Sequence, residues 1–169
     1  IVSGPLANHG MAIMSVREGL EFETEIQTDS APLHQPVKNL LDEFGSLVHL
    51  LRDPSRGGVG TVLNEIARSA HLGINLRQAD IPVDEQVAGA CELLGLDPLY
   101  VANEGLFLAI VADNIYQAAL EQLQASGFSR SACIDEVTSE HPRQVVLTSG
   151  IGGRRVVNML AGEQLPRIC

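Results

Sequence analysis

The spacing of apolar residues along the chain predicts amphipathic helices. Between Val37 and Phe44, apolar residues recur every three or four positions, so their side chains lie on one face of a helix that Gly45 ends. Asn8 and Asp84 stand where helices begin and are typical N-cap residues. Helices are predicted over residues 8–19, 37–44, 61–70, 84–94 and 115–125.

Shorter apolar runs between these helices predict strands. The strands are predicted over residues 47–51, 74–76, 99–102, 106–111, 133–137 and 145–147. Residues 156–160 are predicted to form a last strand or a short turn, and the polar residues 20–35 are interpreted as a loop. Helices and strands do not alternate regularly, and the sequence has no glycine fingerprint of a dinucleotide-binding fold. We therefore predict one α+β domain over residues 1–160, with a mixed sheet packed with helices, followed by a flexible C-terminal tail over residues 161–169.

The composition indicates a globular protein, since 45% of the 169 residues are apolar and 19% are charged. A net charge of -10 disfavours nucleic-acid binding, because phosphate backbones repel an acidic surface. No apolar run reaches the roughly 18–20 residues that a membrane span needs. The chain starts at Ile1 without an initiator methionine or a secretory signal, which predicts a domain of a longer cytoplasmic protein.

The three cysteines have no zinc-binding spacing, and their odd number leaves at least one thiol free, as suits a reducing compartment. Cys91 lies in an apolar helical stretch and is predicted to fill the core. Cys169 ends the sequence three residues after Pro166, on a segment without a core pattern. A thiol on a mobile tail can be presented to an active site and withdrawn, and its thiolate is a strong nucleophile. An incidental frayed end is the alternative interpretation.

A glycine-rich turn precedes the third predicted helix, over residues 53–58 (DPSRGG). Backbone N–H groups at a helix start favour anions, and Arg56 adds a cation for a phosphate or carboxylate. The turn is not a Walker A loop, because the lysine and its spacing are missing. The alternative is a tight structural turn from strand to helix, which is common.

Asn103-Glu104-Gly105 separates two apolar runs. A carboxylate wedged between strands is often partly desolvated, which raises its pKa and makes it a better general base. The alternative is a solvated turn, since Asn and Gly are ordinary turn residues. His9 is a candidate ligand or proton carrier, or else part of the cap of the first helix. The other four histidines are scattered without metal-binding spacing, and no metal site is predicted.

Several segments together resemble the HypE family of hydrogenase-maturation proteins, within the larger group of aminoimidazole ribonucleotide synthetase and selenophosphate synthetase. They are residues 8–18 (NHGMAIMSVRE), 52–58 (RDPSRGG), 100–105 (YVANEG) and 166–169 (PRIC). The glycine turn is shared across the larger group, whereas a terminal Pro-Arg-Ile-Cys is specific to the HypE family. The family often has Thr in place of Ser55, and Gly-Asp in place of Ala7-Asn8.

The resemblance implies an ATP-dependent carbamoyl dehydratase. In that chemistry a carbamoyl group is placed on the sulfur of Cys169 and its amide oxygen is phosphorylated by ATP. A base then removes the nitrogen proton and phosphate leaves, so that a thiocyanate remains as the cyanide donor for the iron of a nickel–iron hydrogenase. Glu104 is implied as the base and Asn103 as the residue that orients the amide. The residues implied to position the phosphates or the tail are Asp53, Arg56, Gly57 and Gly58.

The same resemblance implies the C-terminal domain of the aminoimidazole ribonucleotide synthetase-like fold. ATP and Mg2+ would then be bound mainly by an N-terminal domain that this chain lacks. The implied partners are the carbamoyltransferase HypF, the iron scaffold HypC–HypD, and a second copy in a full-length homodimer.

Two other functions compete with this prediction. A related ATP-dependent synthetase acting on a small amide or on selenide would share the fold, but it gives no role to Cys169. A non-catalytic domain that docks maturation partners through its acidic surface would give no role to Glu104 in ATP-dependent chemistry.

Overall fold

The computed structural model describes residues 1–19 and 25–160. Part of the loop predicted over residues 20–35, and the whole predicted tail with Cys169, lie outside the described residues. The helices are α1 (Asn8–Glu18), α2 (His34–Phe44), α3 (Gly58–Ala70), α4 (Glu85–Leu94) and α5 (Tyr116–Ala125). The strands are β1 (Val48–Arg52), β2 (Gly73–Arg77), β3 (Leu108–Val111), β4 (Val137–Thr138), β5 (Val145–Thr148) and β6 (Arg154–Val157).

The described strands form two sheets. In the smaller one, β1 pairs with β3 in antiparallel orientation. In the larger one the order is β4-β2-β5-β6, with β2 and β5 parallel and the outer pairs antiparallel. The architecture is therefore α+β with a mixed sheet, which confirms the predicted fold class.

Each sheet has its own apolar core. The larger core joins the four-stranded sheet to α1, α3 and α4 through residues such as Met11, Val62 and Val87. Cys91 belongs to this core and is 1% exposed, which confirms its prediction as a buried filler. The smaller core joins β3 to α2 and α5 through Leu40 and Leu123. Because burial of apolar side chains dominates folding energy, these cores fix the helices that flank the candidate site.

The strand predicted over residues 99–102 is wrong. Residues Pro98–Tyr100 form a 3-10 turn instead. The side chain of Asp97 accepts a hydrogen bond from the N–H of Leu99 at 3.0 Å, and proline occupies the first position of the turn. A local cap of this kind competes with strand formation, although the apolar run remains buried.

Several predicted boundaries also shift. Helix α3 begins at Gly58 rather than at residue 61, because Gly57 adopts a left-handed conformation and starts it. Asn8 is not the N-cap of α1, since Ala7 occupies that position at φ 74° without a side-chain cap. The predicted strand over residues 133–137 is reduced to Val137–Thr138, and the last strand starts at Arg154.

Within the described residues, none of the helices combines the length and apolar character needed to cross a bilayer.

Candidate active site

The glycine turn is shaped by close packing. Gly57 and Gly58 both have positive φ, 74° and 62°, where a side chain is strained. A Cβ on Gly58 would also come within 2.5 Å of the carbonyl oxygen of Leu99 and 2.7 Å of that of Val101. The two glycines therefore let the start of α3 pack directly against residues 99–101, as the interpretation of a tight structural turn requires.

The polar residues of this turn face outward. Asp53 is exposed and accepts a hydrogen bond from the hydroxyl of Ser55 at 2.8 Å. The guanidinium of Arg52 lies 3.9 Å from the same carboxylate. Arg56 is exposed at the surface of the turn. Both predicted phosphate-positioning side chains are thus accessible at the start of α3.

Asn103 joins three segments that are far apart in sequence. Its side-chain oxygen accepts a hydrogen bond from the N–H of Ala7 at 2.8 Å. Its amide nitrogen donates to the carbonyl oxygens of Pro54 and Val101, both at 3.0 Å. Asn103 is only 1% exposed, and both of its N–H donors are used. The side chain therefore connects the start of α1, the glycine turn and the turn at 103–105.

Glu104 presents its side chain at the surface. Of the two interpretations of this segment, the solvated turn agrees with the structure and the desolvated carboxylate does not, because residue 104 is exposed. The backbone around it is nevertheless fixed. The N–H of Glu104 donates to Asp29 Oδ1 at 3.2 Å, and a Cβ on Gly105 would overlap the backbone carbonyl of Asp29. A turn held by these contacts thus carries Glu104 at the surface.

Asp29 and His9 line the same region. Burial raises the pKa of the Asp29 carboxyl, while hydrogen bonds from the N–H groups of Glu104 and Gly105, and the charge of His9, oppose that rise. His9 Nδ1 lies 2.8 Å from the hydroxyl of Thr28, and its Nε2 is buried without a hydrogen-bond partner among the described residues. Sequence reasoning missed Asp29, because it stands in a polar loop where no spacing distinguishes it.

The structure therefore brings together most of the predicted site residues. The start of α1, the glycine turn and the turn at 103–105 meet around Asn103, and Gly10 reinforces this by donating from its N–H to the carbonyl of Ala102 at 3.0 Å. Cys169 lies outside the described residues.

Among the described residues, this cluster forms no metal-binding group and is separate from an open cavity elsewhere in the domain. Residues 1–19 and 25–160 contain no group of three or more His, Cys, Asp and Glu side chains placed to hold a metal ion. An open cavity of about 880 Å³, lined by residues such as Ala67, Leu108 and Cys133, includes none of the predicted site residues. The cavity is therefore separate from the candidate site.

The model of the family described as AIR synthase related protein, C-terminal domain, matches residues 1–147. The chain belongs to the AIR synthase related family. Among curated members, the carbamoyl dehydratase HypE of Bradyrhizobium diazoefficiens is 49% identical over the whole chain. The chain spans about half the length of that relative, 49% of it.

Solved structures in this family agree with the fold. A hydrogenase maturation protein HypE in complex with ATP superposes with a TM-score of 0.93 at 41% identity, covering 99% of this chain and 51% of that one. HypE in a HypE–HypF complex superposes with a TM-score of 0.88 at 37% identity, covering 93% and 51%. This AIR synthase related domain therefore has the fold of a HypE domain, as the sequence motifs predict.

Proposed function

We propose that this chain is the domain of an ATP-dependent carbamoyl dehydratase that supplies cyanide for nickel–iron hydrogenase maturation. The observation on which this rests is the 49% identity, over the whole chain, to a carbamoyl dehydratase HypE. A match of this extent includes the glycine turn, the turn at 103–105 and the C-terminal segment.

The proposed substrate is the carbamoylated thiol of Cys169. Transfer of the γ-phosphoryl group of ATP to the amide oxygen turns that oxygen into a phosphate leaving group. Removal of the two nitrogen protons and breakage of the carbon–oxygen bond leave –S–C≡N. The balanced change is thiocarboxamide plus ATP giving thiocyanate, ADP, hydrogen phosphate and one proton, so that one nitrogen proton ends on the phosphate and the other is released. ATP acts here as a substrate that provides the driving force for dehydration.

Glu104 is the proposed base for proton removal. Its accessible carboxylate on a turn held by Asp29, Gly105 and Asn103 supports this role, because a base must reach its proton in a fixed geometry. Asn103 acts through this turn rather than on the substrate, since its two N–H donors are bonded to backbone carbonyls. We assign it as a positioning residue.

The glycine turn and His9 have supporting roles in this proposal. Asp53 and Arg56, with the backbone of Gly57 and Gly58, position the phosphates or the tail at the start of α3. His9, next to Asp29, takes part in proton movement near Glu104.

ATP and Mg2+ are proposed to bind mainly to the half of the protein that this chain does not include. A HypE structure with bound ATP supports nucleotide binding in the family. We further propose HypF as the carbamoyl donor, because a HypE–HypF complex has been solved, together with the HypC–HypD scaffold as acceptor, a homodimeric full-length protein and a cytoplasmic location.

The test is the intact mass of the full-length protein and of its Cys169→Ala variant, first with the carbamoyltransferase system and then with ATP. We expect a gain of one carbamoyl group followed by loss of one water, and neither change in the variant. A wild-type mass that stays constant, while a known HypE is modified, would contradict the proposal. Product formation that persists in Cys169→Ala would instead favour a related synthetase.

A further inference from the structure

The last described strand is tied to the rest of the domain just before the tail begins. Asn64, which is 3% exposed, donates from Nδ2 to the carbonyl oxygen of Val157 at 2.9 Å and to that of Gly60 at 2.8 Å. The hydroxyl of Tyr100 donates to the carbonyl oxygen of Asn158 at 2.7 Å. Two consecutive carbonyls at the origin of the tail are thus bound by side chains from two different elements.

A third contact involves the same turn. Arg155 in β6 forms an ion pair with Asp97 at 2.7 Å, and Asp97 caps the 3-10 turn that contains Tyr100. An exposed ion pair contributes little to stability by itself. This one matters because it joins β6 to the turn that contains Tyr100. Strand β6 is held to residues 97–100 on one side and to α3 on the other.

These are the elements that build the candidate site. Helix α3 starts at the glycine turn, and a Cβ on its Gly60 would lie 2.8 Å from the ring of Tyr100. Tyr100 also stands three residues before Asn103, and Val101 between them is buried. The origin of the tail, the start of α3 and the turn of Glu104 therefore form one packed unit.

We propose that Asn64 and Tyr100 are positioning residues that fix the origin of the carrier arm, residues 159–169, relative to Glu104. This inference rests on the proposed function, in which Cys169 carries the substrate. The eleven residues that follow Asn158, up to Cys169, span at most roughly 36–40 Å when fully extended. A fixed origin within that reach raises the effective concentration of the thiocarboxamide at the site.

The experiment compares Tyr100→Phe with wild type in the full-length protein. The substitution removes one hydroxyl and keeps the ring that packs against Gly60. Carbamoylated protein is isolated, ATP is added, and loss of water is followed by intact mass in a single turnover. In parallel, Cys169→Ala versions of both proteins receive a peptide of residues 159–169 carbamoylated on its cysteine. Tyr116→Phe, at the other tyrosine of the chain, is the matched control.

We expect Tyr100→Phe to slow dehydration of its own arm about 3- to 10-fold, through a lower effective concentration, and to change turnover of the free peptide less than about twofold. Tyr116→Phe should change neither rate. An unchanged rate for the attached arm, or equal losses for arm and peptide, would overturn the inference and leave Tyr100 a purely structural residue. A carbamoylated wild type that forms no thiocyanate would instead overturn the proposed function, and this inference with it.

Discussion

Asn103 and Glu104 are neighbours in sequence but have opposite environments. The Asn103 side chain is buried and makes hydrogen bonds to three segments, whereas Glu104 is exposed. A buried amide with satisfied bonds holds backbone in place, and leaving such bonds unmade is costly. Glu104 beside it lies at the surface. We therefore separate the positioning role of Asn103 from the proposed catalytic role of Glu104.

Replacement of Glu104 by Gln tests the catalytic role. The amide keeps the size of the side chain but cannot accept a proton, so we expect ATP-dependent dehydration to fall by about 100-fold or more. Carbamoylation of Cys169 should continue at the wild-type rate, because it precedes proton removal. Both steps are measured by intact mass of the full-length protein. Dehydration within a few-fold of wild type would show that another group is the base.

Cys91 has a different environment from a carrier thiol. Burial, with a smaller effect of Asp97, raises the pKa of the Cys91 thiol to about 11. Since only the thiolate reacts, its thiolate fraction at pH 8 is about 100-fold below that of an ordinary thiol. We expect iodoacetamide to label Cys169 well before Cys91 in the folded protein, as measured by peptide mass. Unfolding in urea should make the two rates similar, and equal rates in the folded protein would contradict the prediction.

At the scale of elements, the packing of α3 against residues 99–101 organises the site. The left-handed conformation of Gly58 and the close backbone contacts at that residue both exclude a side chain. In contrast, Gly89 in α4 is exposed, and a Cβ there would meet no atom within 4 Å. A comparison of Gly58→Ala with Gly89→Ala therefore separates the effect of close packing from the general effect of replacing glycine by alanine.

Gly58→Ala should destabilise the chain by about 2–4 kcal/mol, from backbone strain together with displacement of residues 99–101. Gly89→Ala should stabilise it by up to about 1 kcal/mol, because alanine favours the helix interior. The free energy of unfolding in urea measures both. Equal stability of Gly58→Ala and wild type would contradict the close packing of the start of α3 against residues 99–101.

At the scale of the molecule, the described residues contain two apolar cores and a cluster of candidate site residues, but no group of side chains placed to hold a metal ion. The chain spans about half of its HypE relative. Phosphoryl transfer depends on positioning and on neutralising phosphate charge. We therefore expect the half of the protein that this chain does not span to supply most of those functions.

The 169-residue chain should accordingly release no phosphate from ATP by itself. The full-length protein, carbamoylated on Cys169, should release about one phosphate per thiocyanate formed. Phosphate release and intact mass, measured on the same samples, give this ratio. ATP hydrolysis by the isolated chain above that of a heat-denatured sample would contradict the proposal that ATP binds mainly to the other half of the protein.

The sequence determined the α+β class and the family, because helical spacing, short apolar runs and the motifs around Gly58, Glu104 and Cys169 are local patterns. It also identified Cys91 as a core residue. It did not determine the conformation of residues 98–100, where the side chain of Asp97 competes with strand formation.

Only the tertiary structure decided how the motifs are used. The proposed positioning role of Asn103 rests on its hydrogen bonds to Ala7 and Pro54, which are distant from it in sequence. The contact of Asp29 with the backbone of Glu104, and the exposure of Glu104, both depend on how distant chain segments pack around the turn at 103–105. The contacts of Asn64 and Tyr100 with residues 157–158 arise in the same way. Local patterns encode elements, whereas burial and long-range hydrogen bonds exist only once those elements pack.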